Sequence, residues 1–254
     1  MCPRSEVLLP LTLTLFLTPP SMSIPTEKDL IAASCHVGHR KEKWNPKMAP
    51  YLFGVRKGIS IFDLTETKRR LEEVCAQMRK LQAEGKTVLF VSTKQQSIPF
   101  IEKAGKELDQ PTVTKKWIPG LLTNWPTIKR RLKYYLELQQ SFQTGEVEKY
   151  TKKEQLTLRK KLAKLDAALS GVAAMTQLPD AVFVVDAVRD HVAVLEAKKL
   201  SIPLFGICDS IANPDLFTAF IPCNDDAVKA LTLVIDTVIN EMKAAPGKRV
   251  SVQD

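Results

Sequence analysis

Three aspartates stand where an α/β enzyme would keep its chemistry. Asp63, Asp186 and Asp209 each follow a short apolar run, and carboxylates at the carboxyl ends of parallel strands commonly hold metals and substrates. A second grouping, "CHVGH", brings Cys35, His36 and His39 together, ligand types that could open a zinc site. Neither grouping is completed. No second ligand pair accompanies the first, and His191 stands alone at a helix start. The chain holds no GxGxxG, GxxxxGK[ST] or GxSxG, hence neither a phosphate cradle nor a nucleophile elbow. Asp63, before "LTETK", also reads as a helix cap, and His36 and His39 read as hydrogen-bonding or phosphate-facing groups. No catalytic residue, metal ligand or cofactor is therefore assigned. A metal-dependent α/β enzyme using Asp63, Asp186 and Asp209 on an anionic substrate is the rival reading.

A different chemistry is better supplied. The stretch "HVGHRKEKWNPKMAPYLFGVRKG", His36 to Gly58, fits neither helical nor strand periodicity. It offers Arg40, Lys41, Lys43, Lys47, Arg56 and Lys57 to phosphates, and the faces of Trp44 and Tyr51 to bases. Asn45 lies among them, and Gly38, Gly54 and Gly58 permit close backbone approach. Trp44, Met48 and Tyr51 also suit a plug for the end of a sheet. A second segment, "KKWIPGLLTNWPTIKRR", repeats the recipe with Lys115, Lys116, Trp117, Thr123, Asn124, Trp125, Lys129 and Arg130, and Lys133 follows. All three tryptophans of the chain lie in these two segments.

Charge points the same way. The chain carries 37 Lys and Arg against 28 Asp and Glu, a net +9, which favours a polyanionic partner. Residues 115–164 alone hold 13 Lys and Arg against four Glu, an excess equal to that of the whole chain. Helical cations are usually a solvated face balanced by acids, and here the acids are missing. With no helix-turn-helix or zinc-finger pattern, RNA is favoured over DNA.

The elements that must position these groups follow from periodicity. Strands are expected over 59–64, 87–93, 179–187, 202–210 and 219–222, and helices over 65–84, 97–108, 189–199 and 225–243, an alternation that predicts an α/β fold with a parallel sheet covered on both faces. Between the two βα blocks, Ile128, Leu132, Tyr135 and Phe142 fall on one helical face. Leu158, Leu162, Leu165, Leu169 and Val172 step as a heptad seam. The two stretches are expected to pair as an antiparallel coiled-coil hairpin, turning over 143–154 and standing off the body as an arm. The organisation read from this is an N-terminal extension over 1–28, the first part of the α/β domain over 29–126, the hairpin over 127–174, the second part over 175–243 and a tail over 244–254.

Five cysteines, at 2, 35, 75, 208 and 223, show no CxxC spacing, which suits a reducing compartment. Cys208, inside "IPLFGIC", reads as a buried, inert thiol. Val7 to Leu17 has the length of a signal-peptide core without its flanks, so residues 1–28 are expected to be disordered or non-native, with Met22 as the working start.

Taken in order, "HVGHRKEKWNPKMAPYLFGVRKGISIFDLTET", "WIPGLLTNWPTIK", "YTKKEQL", "LPDAVFVVDAVRDHVAVLEAKKLSIPLFGICD" and "IPCNDDAVKALTLVI" resemble the successive signatures of the bacterial-type small-subunit ribosomal protein two family, from about Asp29 to Glu241, in its bacterial or organellar branch. The family pattern GHxxxxWNPKM matches Gly38, His39, Trp44, Asn45, Pro46, Lys47 and Met48, and LTNW matches Leu122 to Trp125. The resemblance implies a flavodoxin-like sheet with a coiled-coil hairpin, no catalysis, and a seat on small-subunit ribosomal RNA among neighbouring small-subunit proteins. It further implies a late role in assembly and, in many bacteria, support of ribosomal protein one. It implies neither a membrane nor a small-molecule substrate, and a place in the cytoplasm or an organellar matrix or stroma. The chain departs from the family at Val37, usually aromatic; at Pro119, within a usual glycine pair; at Ile211, usually Asn; and at Cys223, usually Gly.

Overall fold

Apolar side chains alternate along four short strands in two sets, and each set buries against its own layer of helices. The computed structural model describes residues 23–245. In chain order these form α1 (Glu27–Ala32), β1 (Val37–Arg40), β2 (Leu52–Arg56), β3 (Ile59–Phe62), α2 (Leu64–Ala83), β4 (Val88–Val91), α3 (Ile98–Leu108) and β5 (Thr112–Val113). Then follow α4 (Trp125–Gln143), α5 (Lys152–Leu169), β6 (Ala181–Val184), α6 (His191–Lys199), β7 (Leu204–Cys208), β8 (Ala219–Pro222) and α7 (Val228–Lys243).

Strands β5-β4-β6-β7-β8 make a parallel sheet in that order. Val88, Phe90, Ala181, Phe183, Phe205 and Ile207 point to one face, where α1, α2, α3 and α7 pack. Leu89, Val91, Val182, Val184, Leu204 and Cys208 point to the other, against α6, the base of α4 and the end of α5. This is the period-two geometry of a strand buried on both sides. The strand order reverses direction between β4 and β6, because the chain leaves β4 for β5 on one side and returns to β6 on the other. Helices α3 and α6 follow those two strands on opposite faces.

Three expectations are revised. The 59–64 run is not part of the parallel sheet: β3 is the middle strand of a separate antiparallel sheet, β1-β3-β2. The stretch 36–58, which lacks strand periodicity, supplies the two flanking strands, with a bulge in each pairing that erases regular alternation. The parallel sheet also has a two-residue edge strand, β5, too short to leave a periodic signal.

Residues 1–22 and 246–254, and with them Val7–Leu17, the Met22 start and most of the tail, lie outside the described residues. Within 23–28 the chain is held rather than loose. Ser23 N donates to Glu241 Oε1 at 2.9 Å, and Thr26 with Asp29 forms a capping box on α1, closing two of that helix's orphan donors.

Helices α4 and α5 lie against each other. Tyr135 Oη donates to Asp166 Oδ1 at 2.7 Å, and Lys161 Nζ stands 4.5 Å from the Tyr134 ring centroid. Thr151 and Glu154 form the capping box that starts α5, and Gly145 turns the connection at φ 77°. Leu169 and Val172 are buried and Leu158, Leu162 and Leu165 partly covered, as are Gln155, Asp166, Ala167 and Ala168. Leu138 and Val147, towards the turn, are buried yet belong to neither core cluster; this end of the pair buries its own apolar residues locally.

Candidate nucleic-acid interface

The 36–58 segment is fastened to the end of β7. His39 N donates to Ser210 Oγ at 2.9 Å and Asn45 N to the Ser210 carbonyl at 2.7 Å. Gly38 is needed here, since a Cβ would meet Ser210 Oγ at 3.0 Å and the Ser60 carbonyl at 3.1 Å. Met48 is fully buried in the second core cluster, as a sheet plug should be. Tyr51 is spent the same way: its ring packs edge-on to Phe220 at 5.0 Å, and Arg70 donates to its hydroxyl at 3.1 Å, which withdraws it as a stacking face. Trp44 and Asn45 are partly exposed, with Asn45 Oδ1 accepting from Lys47 N at 3.0 Å. The Lys47 ammonium pairs with Asp215. Arg40, Lys41, Lys43, Arg56 and Lys57 are exposed, and none forms an ion pair among the described residues.

Behind this segment the carboxyl ends of the parallel strands gather a dense charge cluster. Lys94 Nζ lies 2.7 Å from Asp225, 2.6 Å from Asp226 and 3.5 Å from Asp186. His39 Nδ1 lies 3.0 Å from Asp209 and its Nε2 3.4 Å from Asp226. The Asp209 hydrogen bond lifts the His39 pKa above its ordinary value, against burial and with help from Asp225 and Asp226. Burial, with Asp186 and Asp209 nearby, pushes Asp225 up to about 7 despite Lys94. His39, Asp209 and Asp225 place one ligand-type atom each within 4.8 Å of one another, the grouping among the described residues that could hold a metal ion; the Lys94 ammonium already sits beside Asp225.

The strand-end aspartates of the rival reading have structural tasks. Asp63 caps α2 by accepting from Thr65 N at 2.9 Å. Asp186 Oδ1 accepts from Val188 N and Arg189 N at 3.0 and 2.8 Å, and Asp209 accepts from the Ser210 hydroxyl at 2.8 Å. Cys35, His36 and His39 do not converge: Cys35 is hydrogen-bonded with Cys223, and His36 Nδ1 is buried without a partner among the described residues. The Cys208 thiol is fully buried, and burial raises its pKa well above the ordinary value, the inert state expected of it.

The second cationic segment is organised by a residue that the sequence does not flag. Glu196, buried on α6, accepts from Trp117 Nε1 at 3.0 Å, Gly120 N at 2.7 Å, Leu122 N at 3.0 Å, and Thr123 N and Oγ1 both at 3.1 Å. Burial alone would raise its pKa, but the indole and these backbone donors hold it below the usual carboxylate range. The ionised side chain thus shapes the loop that launches α4. Trp117 is correspondingly tied into this loop: it is 7% exposed, its N–H is spent on Glu196, and what little of it shows lines a surface hollow. Thr123 likewise directs its hydroxyl inward. Trp125, partly covered, packs against the second core cluster, and Asn124 is exposed at the α4 N-cap without a side-chain cap bond.

What remains is a row of uncompensated cations. Lys115, Lys116, Lys129, Arg130 and Lys133 are all exposed. Of the 13 Lys and Arg in 115–164, Lys133 alone has an ion pair among the described residues, with Glu137 at 3.8 Å. Elsewhere Arg69, Arg70, Arg79, Lys80, Lys86, Lys94, Lys103 and Lys243 all face carboxylates. Free exposed cations beside partly exposed Trp44 are what a phosphate backbone with unpaired bases would recognise.

The family model described as Ribosomal protein S2 matches residues 30–245. The chain belongs to that family. It is 43% identical over 208 residues to the small ribosomal subunit protein uS2 of a Nitratiruptor species, covering 82% of this chain and 78% of the relative. It is 41% identical over 222 residues to the uS2 of Sulfurimonas denitrificans, covering 86% of each, and 38% identical over 227 residues to that of Cytophaga hutchinsonii, covering 89% of each. Membership sets the enzyme reading aside: the family is structural rather than catalytic. Among the described residues no helix is long and apolar enough to cross a membrane.

Proposed function

We propose that this chain is a structural constituent of the small ribosomal subunit that binds small-subunit ribosomal RNA and supports subunit assembly and translation. The observation that carries this reading is the set of cations in 115–164, of which only Lys133 has a carboxylate partner among the described residues. Such a surplus is costly to hold together without an external polyanion. Residues 127–174 act as a basic arm, Glu196 fixes its base, and the 36–58 segment presents a second cationic edge at a set separation. RNA-contacting residues in this reading are Arg40, Lys43, Trp44, Asn45, Lys47, Arg56, Lys57, Lys115, Lys116, Asn124, Trp125, Lys129, Arg130 and Lys133, with Thr123 contributing backbone shape.

Neighbouring small-subunit proteins are its other partners, and ribosomal protein one is the specific partner to test. The compartment is the bacterial cytoplasm or an organellar matrix or stroma. Sedimentation decides the central claim. On a sucrose gradient of cell lysate the chain travels with the small subunit; a pool remaining at the top would reject the assignment.

A further inference from the structure

The reversal of strand order between β4 and β6 creates a crevice at the carboxyl edge of the sheet, the place where open α/β sheets generally accept ligands. A cavity of about 270 Å³ lies there, lined by Thr93, Lys115, Lys116, Trp117, Pro119, Arg189, Asp190 and Val192. Its walls are of two kinds. Trp117, Pro119 and Val192 form an apolar side, while Lys115, Lys116 and Arg189 bring three positive charges with no ion-pair partner among the described residues.

The single acid in the lining offsets them only in part, through its charge interaction with Arg189. Asp190 is 4% exposed and is spent on Thr93, accepting from its N at 3.0 Å and its hydroxyl at 2.7 Å. Arg189 Nε donates to the same hydroxyl at 3.1 Å. This steadies the guanidinium by one edge and leaves its terminal nitrogens for a ligand. A flat apolar wall facing a cationic rim suits a base and its phosphate together. The volume falls below the roughly 300–1,000 Å³ of pockets for drug-sized molecules, and a duplex does not enter it.

Building on the ribosomal RNA reading above, we infer that this switch-point cavity receives one unpaired nucleotide of the partner RNA, its base against Pro119 and Val192 and its phosphate on Lys115, Lys116 and Arg189. Arg189 and Val192 lie outside the two cationic segments, and they acquire a role through this geometry alone.

The test uses the full chain bound to small-subunit ribosomal RNA, probed with base-modifying reagents. Two variants challenge it: Val192→Trp, which fills the hollow, and Lys115→Ala with Lys116→Ala, both at exposed positions that leave folding intact. The wild-type complex shields at least one unpaired nucleotide whose reactivity rises about fivefold or more with Val192→Trp, while the complex persists and the remaining footprint is unchanged; Lys115→Ala with Lys116→Ala exposes the same nucleotide together with a general loss of RNA affinity. Identical footprints for wild type and both bound variants overturn the inference and leave the ribosomal reading standing. Failure of the wild-type chain to bind the RNA overturns both. A parallel titration with adenosine 5′-monophosphate, followed by ligand-observed NMR, separates the sources: binding abolished by Val192→Trp alongside unchanged RNA footprints would assign the cavity to a free nucleotide and reject the RNA assignment.

Discussion

The sheet edge and the α4–α5 pair treat charge in opposite ways. At the sheet edge, Lys94 and His39 are packed among Asp186, Asp209, Asp225 and Asp226, so charge is consumed inside the molecule and fixes backbone. Along the helical pair, cations face outward with one weak partner among them, so charge is left over for something else. The contrast separates residues that hold the fold from residues that hold the partner, although both sets are basic side chains and share lysine.

The broadest challenge to that separation is ionic strength. If roughly six to ten phosphates are neutralised by the free cations, affinity for the ribosomal RNA falls by about 10³ to 10⁵ between 50 and 200 mM salt; a filter-binding series with a flat slope would show that the surplus charge is idle. Next in size is Lys94→Met. It strands buried carboxylates and costs about 3–5 kcal/mol in urea unfolding, and a near-neutral result would mean that the sheet-edge cluster holds nothing.

The mirror-image experiment replaces Lys129, Arg130 and Lys133 together by Ala. Unfolding free energy stays within about 0.5 kcal/mol of wild type, while the salt slope of RNA binding drops by about 2 to 3 and less chain sediments with the small subunit. Trp44→Ala tests the other edge. It weakens RNA binding by about 1–3 kcal/mol if a base stacks there, with the antiparallel sheet intact by circular dichroism.

The smallest effect is a pH dependence confined to the sheet edge. The folded-state pKa of His39 is raised from 6.5, so its contribution is fully present below that ordinary value and is lost as pH rises through the folded pKa. Asp225, raised to about 7, acts in the same sense because the fold favours its protonated form. Stability therefore declines between about pH 4 and about pH 7 through Asp225 and further above about pH 6.5 through His39, and His39→Gln flattens that upper part of the curve. An unchanged profile in that variant would remove His39 from the cluster's energetics.

Sequence legibility follows the same divide. The parallel strands are readable because burial on both faces yields continuous apolar runs such as "AVFVV", and the arm because surplus charge is a property of composition. Strands β1 and β2 are not, since glycines, bulges and exposed Phe53 and Val55 leave no alternation. Glu196 is invisible for a different reason: within "VLEAKK" it looks like any solvated helical acid, and only tertiary folding brings the Trp117 and 120–123 donors onto it. Trp117 is misleading in the same way, because a tryptophan beside two lysines reads alike whether its indole faces solvent or a buried carboxylate.

The position of the arm carries a kinetic consequence. It is inserted between β5 and β6, yet β6 must pair with β4, Val88 against Ala181, across the whole insertion. A long flexible crossover would make that closure slow. Two helices with local caps, zipping on each other near a glycine turn, shorten the span before the strands meet. The paired helices that part the two halves of the sheet in sequence thus also serve as a splint while those halves are brought together.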